Sequence, residues 1–149
     1  MTEQELLEKI KQTKIVPVVV LNSIEETLPK MQALVNGGLP CAEITFRTPC
    51  AAEAIALTVK TYPDMLVGAG TVINKEQCEK AIKAGSKFIV SPGFSKEVAK
   101  CCKKHGMLYL PGIVTPTEAM AAIACGLTAL KFFPASNYGG LKTIKAICA

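Results

Sequence analysis

The sequence predicts an α/β fold in which six consecutive strand–helix units form a parallel sheet. Short apolar or β-branched runs alternate with longer amphipathic segments, and the starts of these runs lie 20 to 26 residues apart. No Asn-Gly or Asp-Gly pair interrupts the alternation, so antiparallel hairpins are not indicated. The predicted strands are residues 15–20, 41–46, 65–69, 88–91, 108–111 and 129–133.

Helix boundaries follow from capping residues and glycines. A side chain that accepts a hydrogen bond from the first helical turn precedes most amphipathic segments, and a glycine follows them. The first ten residues form a charged amphipathic helix. Later helices are predicted to start after Asn22 or Ser23, after Asn74, after Ser95 and at Thr117-Glu118, and to end at Gly37, Gly85, Gly106 and Gly126.

An open doubly wound sheet and a (β/α) barrel both fit this alternation. Reactive or polar side chains follow several different strands, and barrel enzymes gather their active sites at these carboxyl ends. The dinucleotide fingerprint of doubly wound folds is absent, because no third glycine follows Gly68 and Gly70 at the required spacing. We therefore predict a barrel, with site candidates at Arg47, Thr71, Pro92, Thr115 and Lys131.

Composition indicates one globular domain, residues 1–149, because half of the residues are apolar and can build a core. No apolar run approaches the roughly 20 residues that cross a bilayer, and the charged amino terminus is unlike a signal peptide. We expect a cytoplasmic protein with no membrane partner. The net charge of +5 comes from scattered lysines, which disfavours nucleic acid and suits an anionic small substrate.

The seven cysteines are odd in number and contain no C-x-x-C pair, so they are predicted to be reduced thiols that fill the core. His105 is the only histidine and precedes Gly106. A histidine-rich metal site is therefore not expected, and neither is a cofactor. A cysteine nucleophile activated by His105 is an alternative, but nothing in the sequence brings His105 near a particular thiol.

Lys131 stands alone among apolar residues in the segment Leu-Lys-Phe-Phe-Pro-Ala, residues 130–135. Strand alternation places Ala129, Lys131 and Phe133 on one face, so the amine is expected beside a phenyl ring. Poor hydration there favours the neutral amine, which is the nucleophile of Schiff-base lysines. Alternatively, the lysine lies at a strand end, where its stem packs and its ammonium reaches water.

The segment 41–48 shows a second polar face within an apolar strand. Glu43, Thr45 and Arg47 alternate with Ile44 and Phe46. In a strand covered on both sides by helices and neighbouring strands, inward polar groups are costly unless they line a wet, functional cavity. The alternative is a face that is simply exposed to solvent.

Five short motifs follow one another along the chain: EITFRT (43–48), VGAGTV (67–72), VSPG (90–93), LPGIVTPTE (110–118) and LKFFPA (130–135). In residues, order and spacing they resemble the bacterial 2-keto-3-deoxy-6-phosphogluconate (KDPG) aldolases, also called KHG/KDPG aldolases. The resemblance covers essentially the whole chain.

The resemblance implies a metal-free, cofactor-free class I aldolase on a (β/α)8 TIM barrel, usually a homotrimer. Such enzymes cleave KDPG to pyruvate and glyceraldehyde 3-phosphate, a step of Entner–Doudoroff carbohydrate metabolism. Many members also cleave 4-hydroxy-2-oxoglutarate (KHG) to pyruvate and glyoxylate. Carried over to matching positions, the family's roles make Lys131 the Schiff-base lysine, Glu43 the general acid/base, Arg47 the clamp on the pyruvyl carboxylate, and Thr71, Pro92 and Phe133 pocket walls.

The sequence ends in the predicted helix after the sixth strand, so the last two βα units of an eight-unit barrel are expected to be missing. We then expect unpaired strand edges at residues 15–20 and 129–133, and no phosphate site from the loops after strands seven and eight. Three interpretations remain: a fragment of an active aldolase, a fragment that completes its sheet by oligomerising, or a non-catalytic remnant. The alternative function to an aldolase is a catalytically inactive oligomeric βα scaffold.

Overall fold

A computed structural model describes residues 2–149, and within them strands and helices alternate as predicted. The strands are β1 Val18–Val19, β2 Cys41–Thr45, β3 Leu66–Gly70, β4 Phe88–Ser91, β5 Leu108–Ile113 and β6 Lys131–Phe132. The α-helices are α1 Glu3–Thr13, α2 Thr27–Asn36, α3 Ala51–Thr61, α4 Lys75–Lys83, α5 Lys96–Lys104, α6 Pro116–Ala124 and α7 Gly140–Ile147. Short 3-10 helices span Ile24–Glu26 and Ser136–Tyr138.

The strands form one parallel sheet in which spatial order equals chain order, from β1 to β6. A doubly wound sheet would reverse its strand order at a switch point, whereas a barrel does not. The sheet curls as part of a (β/α) barrel, which confirms the predicted fold class. Within the described residues, β1 and β6 each pair with a neighbour on one side only.

The outer face of the sheet carries the main core. Strand residues on this face are packed against apolar side chains of α2 to α5, such as Met31, Ile55, Val98 and Cys102. These outward residues lie under helices and between neighbouring strands, which explains their apolar character. The outward strand residues are Ala42, Ile44, Val67, Ala69, Ile89 and Tyr109.

The inner, concave face of the sheet is apolar near the amino ends of β4 and β5. Near the amino ends of β4 and β5, α1 packs its buried Leu6 against Phe88, Val90 and Leu108. Strand register carries this face across the sheet, because residues paired in register point to the same side. Successive pairs are Glu43 with Gly68, Gly68 with Phe88, Phe88 with Leu108, and Gly112 with Lys131.

Strand boundaries differ from the predictions at several ends. β1 is shorter than residues 15–20 because Pro17 has no N–H for the ladder, although its carbonyl accepts a hydrogen bond of 2.8 Å from the Glu43 N–H. β2 ends at Thr45, and Phe46 begins the turn that follows. β6 covers only Lys131–Phe132 of the predicted 129–133.

Helix starts agree with the predicted caps at Asn74 and Ser95, whose side chains accept hydrogen bonds from the Gln77 and Val98 N–H groups. The start predicted at Thr117 is wrong. The cap is Thr115, which forms a capping box with Glu118. The Thr115 hydroxyl accepts a hydrogen bond from the Glu118 N–H, and the Glu118 carboxylate accepts one from the Thr115 N–H. Thr115, a site candidate from sequence, therefore holds the start of α6.

Cysteine usage is largely as predicted. All seven thiols are free, and Cys41, Cys78, Cys101 and Cys102 are buried. Burial raises the pKa of Cys41 to about 11, so this thiol stays protonated near neutrality. The prediction is wrong for Cys148, which is exposed.

Replacing Thr115 with Ala should lower the free energy of unfolding by about 1 kcal/mol, because the N–H of Glu118 loses its acceptor. Urea unfolding followed by circular dichroism measures this loss. The matched control is Thr117→Ala, which removes an exposed hydroxyl from the first turn of the same helix and should cost nothing. A loss at Thr117 together with none at Thr115 would restore the start predicted from sequence.

Candidate active site

Glu43 and Lys131 meet on the concave face of the sheet. Glu43 is in the middle of β2, Lys131 opens β6, and Lys131 Nζ lies 3.6 Å from Glu43 Oε2. These strands are not neighbours, so curvature of the sheet rather than strand pairing brings the two side chains together. The structure thus unites two residues that the sequence predicted separately.

The Glu43 carboxylate is buried, since only 6% of its side chain is exposed. Burial raises the pKa of Glu43 above its ordinary value, and the positive charges of Lys131 and Arg47 oppose part of that rise. A carboxyl group with a raised pKa can donate as well as accept a proton near neutral pH. The alternative of a solvent-exposed polar face on this strand is wrong for Glu43 and for Thr45, which is also buried.

Lys131 has one apolar neighbour and one open side. Its Nζ lies 4.8 Å from the centroid of the Phe133 ring, in the range of a cation–π contact, which confirms that the amine lies beside a phenyl ring. The side chain is 28% exposed, so part of it reaches solvent. The amine therefore has a carboxylate, a ring and an open approach around it.

The other predicted site residues follow the carboxyl ends of their strands. Arg47 lies in the turn after β2 and is exposed, and its charge still acts on Glu43. Thr71 follows β3 with φ of 56°, a left-handed conformation that β-branched residues rarely adopt. Pro92 follows β4 and is exposed, and its carbonyl packs against Gly112 of β5.

Two glycines of β3, Gly68 and Gly70, complete the concave face. In the sequence they belong to the VGAGTV motif and to an incomplete dinucleotide fingerprint, and neither predicts a role for them in the site. A Cβ on Gly68 would overlap the Phe88 ring, and a Cβ on Gly70 would overlap Glu43 Oε1. Glycines at alternate positions of one strand share a face, which is the signal that close neighbours fill that face. The two glycines of β3 therefore leave space for the Phe88 ring beside Gly68 and for the Glu43 carboxylate beside Gly70.

Residues 2–149 contain neither a metal-binding cluster nor a membrane-spanning helix. No group of three or more His, Cys, Asp or Glu side chains is arranged there to hold a metal ion. None of the helices in this range is long and apolar enough to cross a membrane.

The concave face thus brings a lysine amine beside a buried carboxyl group of raised pKa, a pairing that suits Schiff-base chemistry. The profile of the KDPG and KHG aldolase family matches residues 6–149. The chain belongs to this family, which confirms the predicted family and its aldehyde-lyase class of enzyme.

Individual relatives agree with this assignment. The chain is 42% identical over 142 residues to the 2-dehydro-3-deoxy-phosphogluconate aldolase of Treponema pallidum. It superposes with a TM-score of 0.92 and 37% identity on the crystal structure of the Zymomonas mobilis KDPG aldolase with 3-phosphoglycerate. The KDPG aldolase of Legionella pneumophila, with pyruvate captured as a covalent carbinolamine, gives a TM-score of 0.85 and 39% identity.

The match covers nearly all of this chain and about two thirds of each relative. It spans 95% of this chain and 68% of the Treponema protein, 99% and 70% in the Zymomonas structure, and 89% and 64% in the Legionella structure. About a third of each relative therefore has no counterpart among these 149 residues.

The pKa of Glu43 should exceed the ordinary value of about 4.3 for glutamate, and it should rise further in Lys131→Met, which removes the opposing charge. Carbon-13 NMR of the glutamate carboxyl groups across a pH titration measures both values. Glu118 is the internal control, because hydrogen bonds from Val114 and Thr115 lower its pKa.

The same shift predicts how stability depends on pH. Because the pKa of Glu43 is higher in the folded state, the folded state binds more protons than the unfolded state. The contribution of Glu43 to stability is therefore fully present below its unfolded-state pKa, and it is lost as pH rises through its folded-state pKa. The free energy of unfolding should therefore fall with pH more steeply in the unsubstituted protein than in Glu43→Gln. Equal slopes would contradict the raised pKa.

Proposed function

We propose that this chain is a class I aldolase that cleaves KDPG to pyruvate and glyceraldehyde 3-phosphate, KHG to pyruvate and glyoxylate, or both. The observation that carries the proposal is the 3.6 Å approach of Lys131 Nζ to the buried carboxylate of Glu43. Covalent capture of pyruvate in the Legionella relative supports the same chemistry for this chain.

Lys131 is proposed as the nucleophile. Its neutral amine attacks the C2 carbonyl carbon of the keto acid, and loss of water from the carbinolamine leaves an iminium ion. The C3–C4 bond then breaks, its electron pair moves toward the iminium nitrogen, and an enamine and an aldehyde result. Protonation of the enamine at C3 and hydrolysis of the iminium release pyruvate and restore the amine.

Glu43 is proposed as the acid and base for these steps. Dehydration of the carbinolamine needs a proton donor, and cleavage needs an acceptor for the proton of the C4 hydroxyl. A carboxyl group near the amine, with a pKa raised by burial, suits both tasks. One residue then serves consecutive steps, because each step leaves it in the protonation state that the next requires.

Arg47 is proposed to bind the carboxylate of the keto acid through its planar guanidinium group, which can make two parallel hydrogen bonds. Its exposed position in the turn after β2 leaves this group accessible to an incoming anion. Phe133, in contact with the Lys131 amine, and Thr71 and Pro92, at the ends of β3 and β4, are proposed as the walls of the pocket.

The wider setting is also proposed. Residues 1–149 are taken as a single barrel domain that lacks the last two βα units, and the protein as a cytoplasmic homotrimer that acts in the Entner–Doudoroff pathway. An exposed apolar strip on α6 supports an oligomer, since Met120 and Ile123 lie three residues apart and are 70% and 61% exposed. Sedimentation velocity on the purified chain tests the trimer.

Incubation with pyruvate and borohydride should add a reduced pyruvyl group to Lys131, visible by peptide mass spectrometry. Lys131→Arg should give no adduct, because a guanidinium has no free amine at accessible pH. The matched control is Lys87→Arg, an exposed lysine just before β4, which should keep the adduct. A folded protein that forms no adduct would remove the Schiff-base proposal.

Glu43→Gln should lower kcat for pyruvate release by about 10²- to 10⁴-fold, the usual range for a general acid–base group, with KM changed much less. Arg47→Ala should act mainly on KM, because a carboxylate clamp binds ground state and transition state alike. Glu53→Gln, on the exposed side of α3, is the control and should change neither. Near-normal kcat with a raised KM in Glu43→Gln would make Glu43 a binding residue.

A second candidate function is a catalytically inactive, oligomeric βα scaffold. It is favoured by the two sheet edges without a partner in the described residues, and by the half-exposed Val18 on one of them. A stable oligomer that releases pyruvate no faster than Lys131→Ala would support the scaffold over the aldolase.

A further inference from the structure

Gly70 lies directly beneath the carboxylate of Glu43. It ends β3 and pairs in register with Thr45 of β2, on the same face as Glu43. A Cβ placed on Gly70 would overlap Glu43 Oε1 and would lie 2.6 Å from Cγ and 2.7 Å from Cδ. The carboxylate therefore occupies the space that any side chain at position 70 would fill.

This glycine is required for space and not for its backbone conformation. The residue with a left-handed backbone at this strand end is Thr71, with φ of 56°, whereas Gly70 does not have a positive φ. An alanine would thus fit the backbone of Gly70 without torsional strain. The three atoms nearest to its methyl group would all belong to the flexible side chain of Glu43, so the clash falls on that residue.

The two carboxylate oxygens face different neighbours. Oε1 lies over Gly70, and Oε2 faces Lys131 Nζ at 3.6 Å. If Oε1 is displaced from the surface of β3, Oε2 must move with it, because the carboxylate is rigid. The contact of Oε1 with the backbone of Gly70 thus sets the distance between Oε2 and the Lys131 amine.

We infer that Gly70 is a positioning residue. Because it has no side chain, the Glu43 carboxylate can lie against its backbone and face the Lys131 amine, and we call this space above Gly70 the seat. The inference rests on the proposed function for its effect on catalysis, but the seat itself is a geometric feature. Gly68, two residues earlier on the same face, has the same lack of a side chain and instead receives the Phe88 ring. It is therefore the matched control.

Kinetic measurements on Gly70→Ala test the catalytic part. We expect kcat for pyruvate release to fall about 100-fold, as for a catalytic group misplaced by about 1 Å, while KM changes far less. In the Glu43→Gln background the same substitution should cause no further loss of kcat, because its effect acts through the carboxylate. A loss that persists in full in that background would overturn the inference.

A titration tests the seat without any need for activity. Lys131→Met should raise the pKa of Glu43, and this effect should shrink when Gly70 is replaced by Ala, because the carboxylate has moved away from the amine. In the Gly68→Ala background the effect of Lys131→Met should persist. An unchanged effect in Gly70→Ala would overturn the inference even if the proposed aldolase activity is confirmed.

The outcomes also separate the two proposals. If the unsubstituted chain forms no pyruvyl adduct but Gly70→Ala weakens the coupling of Glu43 to Lys131, the aldolase proposal fails and the seat stands. If Gly70→Ala does not fold, the double variant Gly70→Ala/Glu43→Ala should recover folding, because it removes the Cγ atom and the carboxylate that the new methyl group would overlap. Failure of the double variant as well would show that something other than Glu43 excludes the methyl group.

Discussion

The buried carboxylate of Glu43 is the constraint on which the rest of the site depends. A carboxylate removed from water is costly unless a positive charge or hydrogen bonds compensate for the lost hydration. Here the compensation comes from Lys131, which lies on a strand that β2 does not touch in the ladder. The ion pair therefore forms only if the sheet curls, and the parallel βα repeat, with its helices packed on the outer face, supplies that curvature.

Much of this arrangement could be predicted because strand periodicity is a strong local signal. The alternation around Glu43 and around Lys131 assigns each side chain to a face, and the structure confirms the assignment for Glu43, Thr45 and Ile44 in β2. The parallel topology followed from the spacing of the runs and the missing hairpin turns. The meeting of the two residues depends on curvature, which periodicity does not encode, so the sequence supported it only through resemblance to a family.

The features that the sequence did not predict correctly have local physical causes. Thr115 and Thr117 are both plausible caps, and only the geometry of the Glu118 carboxylate, which bonds back to residue 115, distinguishes them. β1 shortens because Pro17 lacks an N–H group. Gly70 carried no obvious signal alone, because a glycine at a strand end has many uses. Its role depends on how far the side chain of Glu43 extends from the neighbouring strand.

The structure divides the site between rigid and adaptable parts. Glu43 lies in the middle of β2, where neighbouring strands and the buried outer face restrict movement, and Lys131 lies in the short strand β6, which pairs with β5. The covalent chemistry proposed for this pair needs a fixed geometry. Arg47, Thr71 and Pro92 lie just past strand ends, in connections that tolerate change. Cleavage of the C3–C4 bond is common to KDPG and KHG, whereas the part of the substrate beyond C4 differs. In the proposed mechanism, preference between the two substrates can therefore vary through the loops, while the proposed catalytic pair in the strands stays the same.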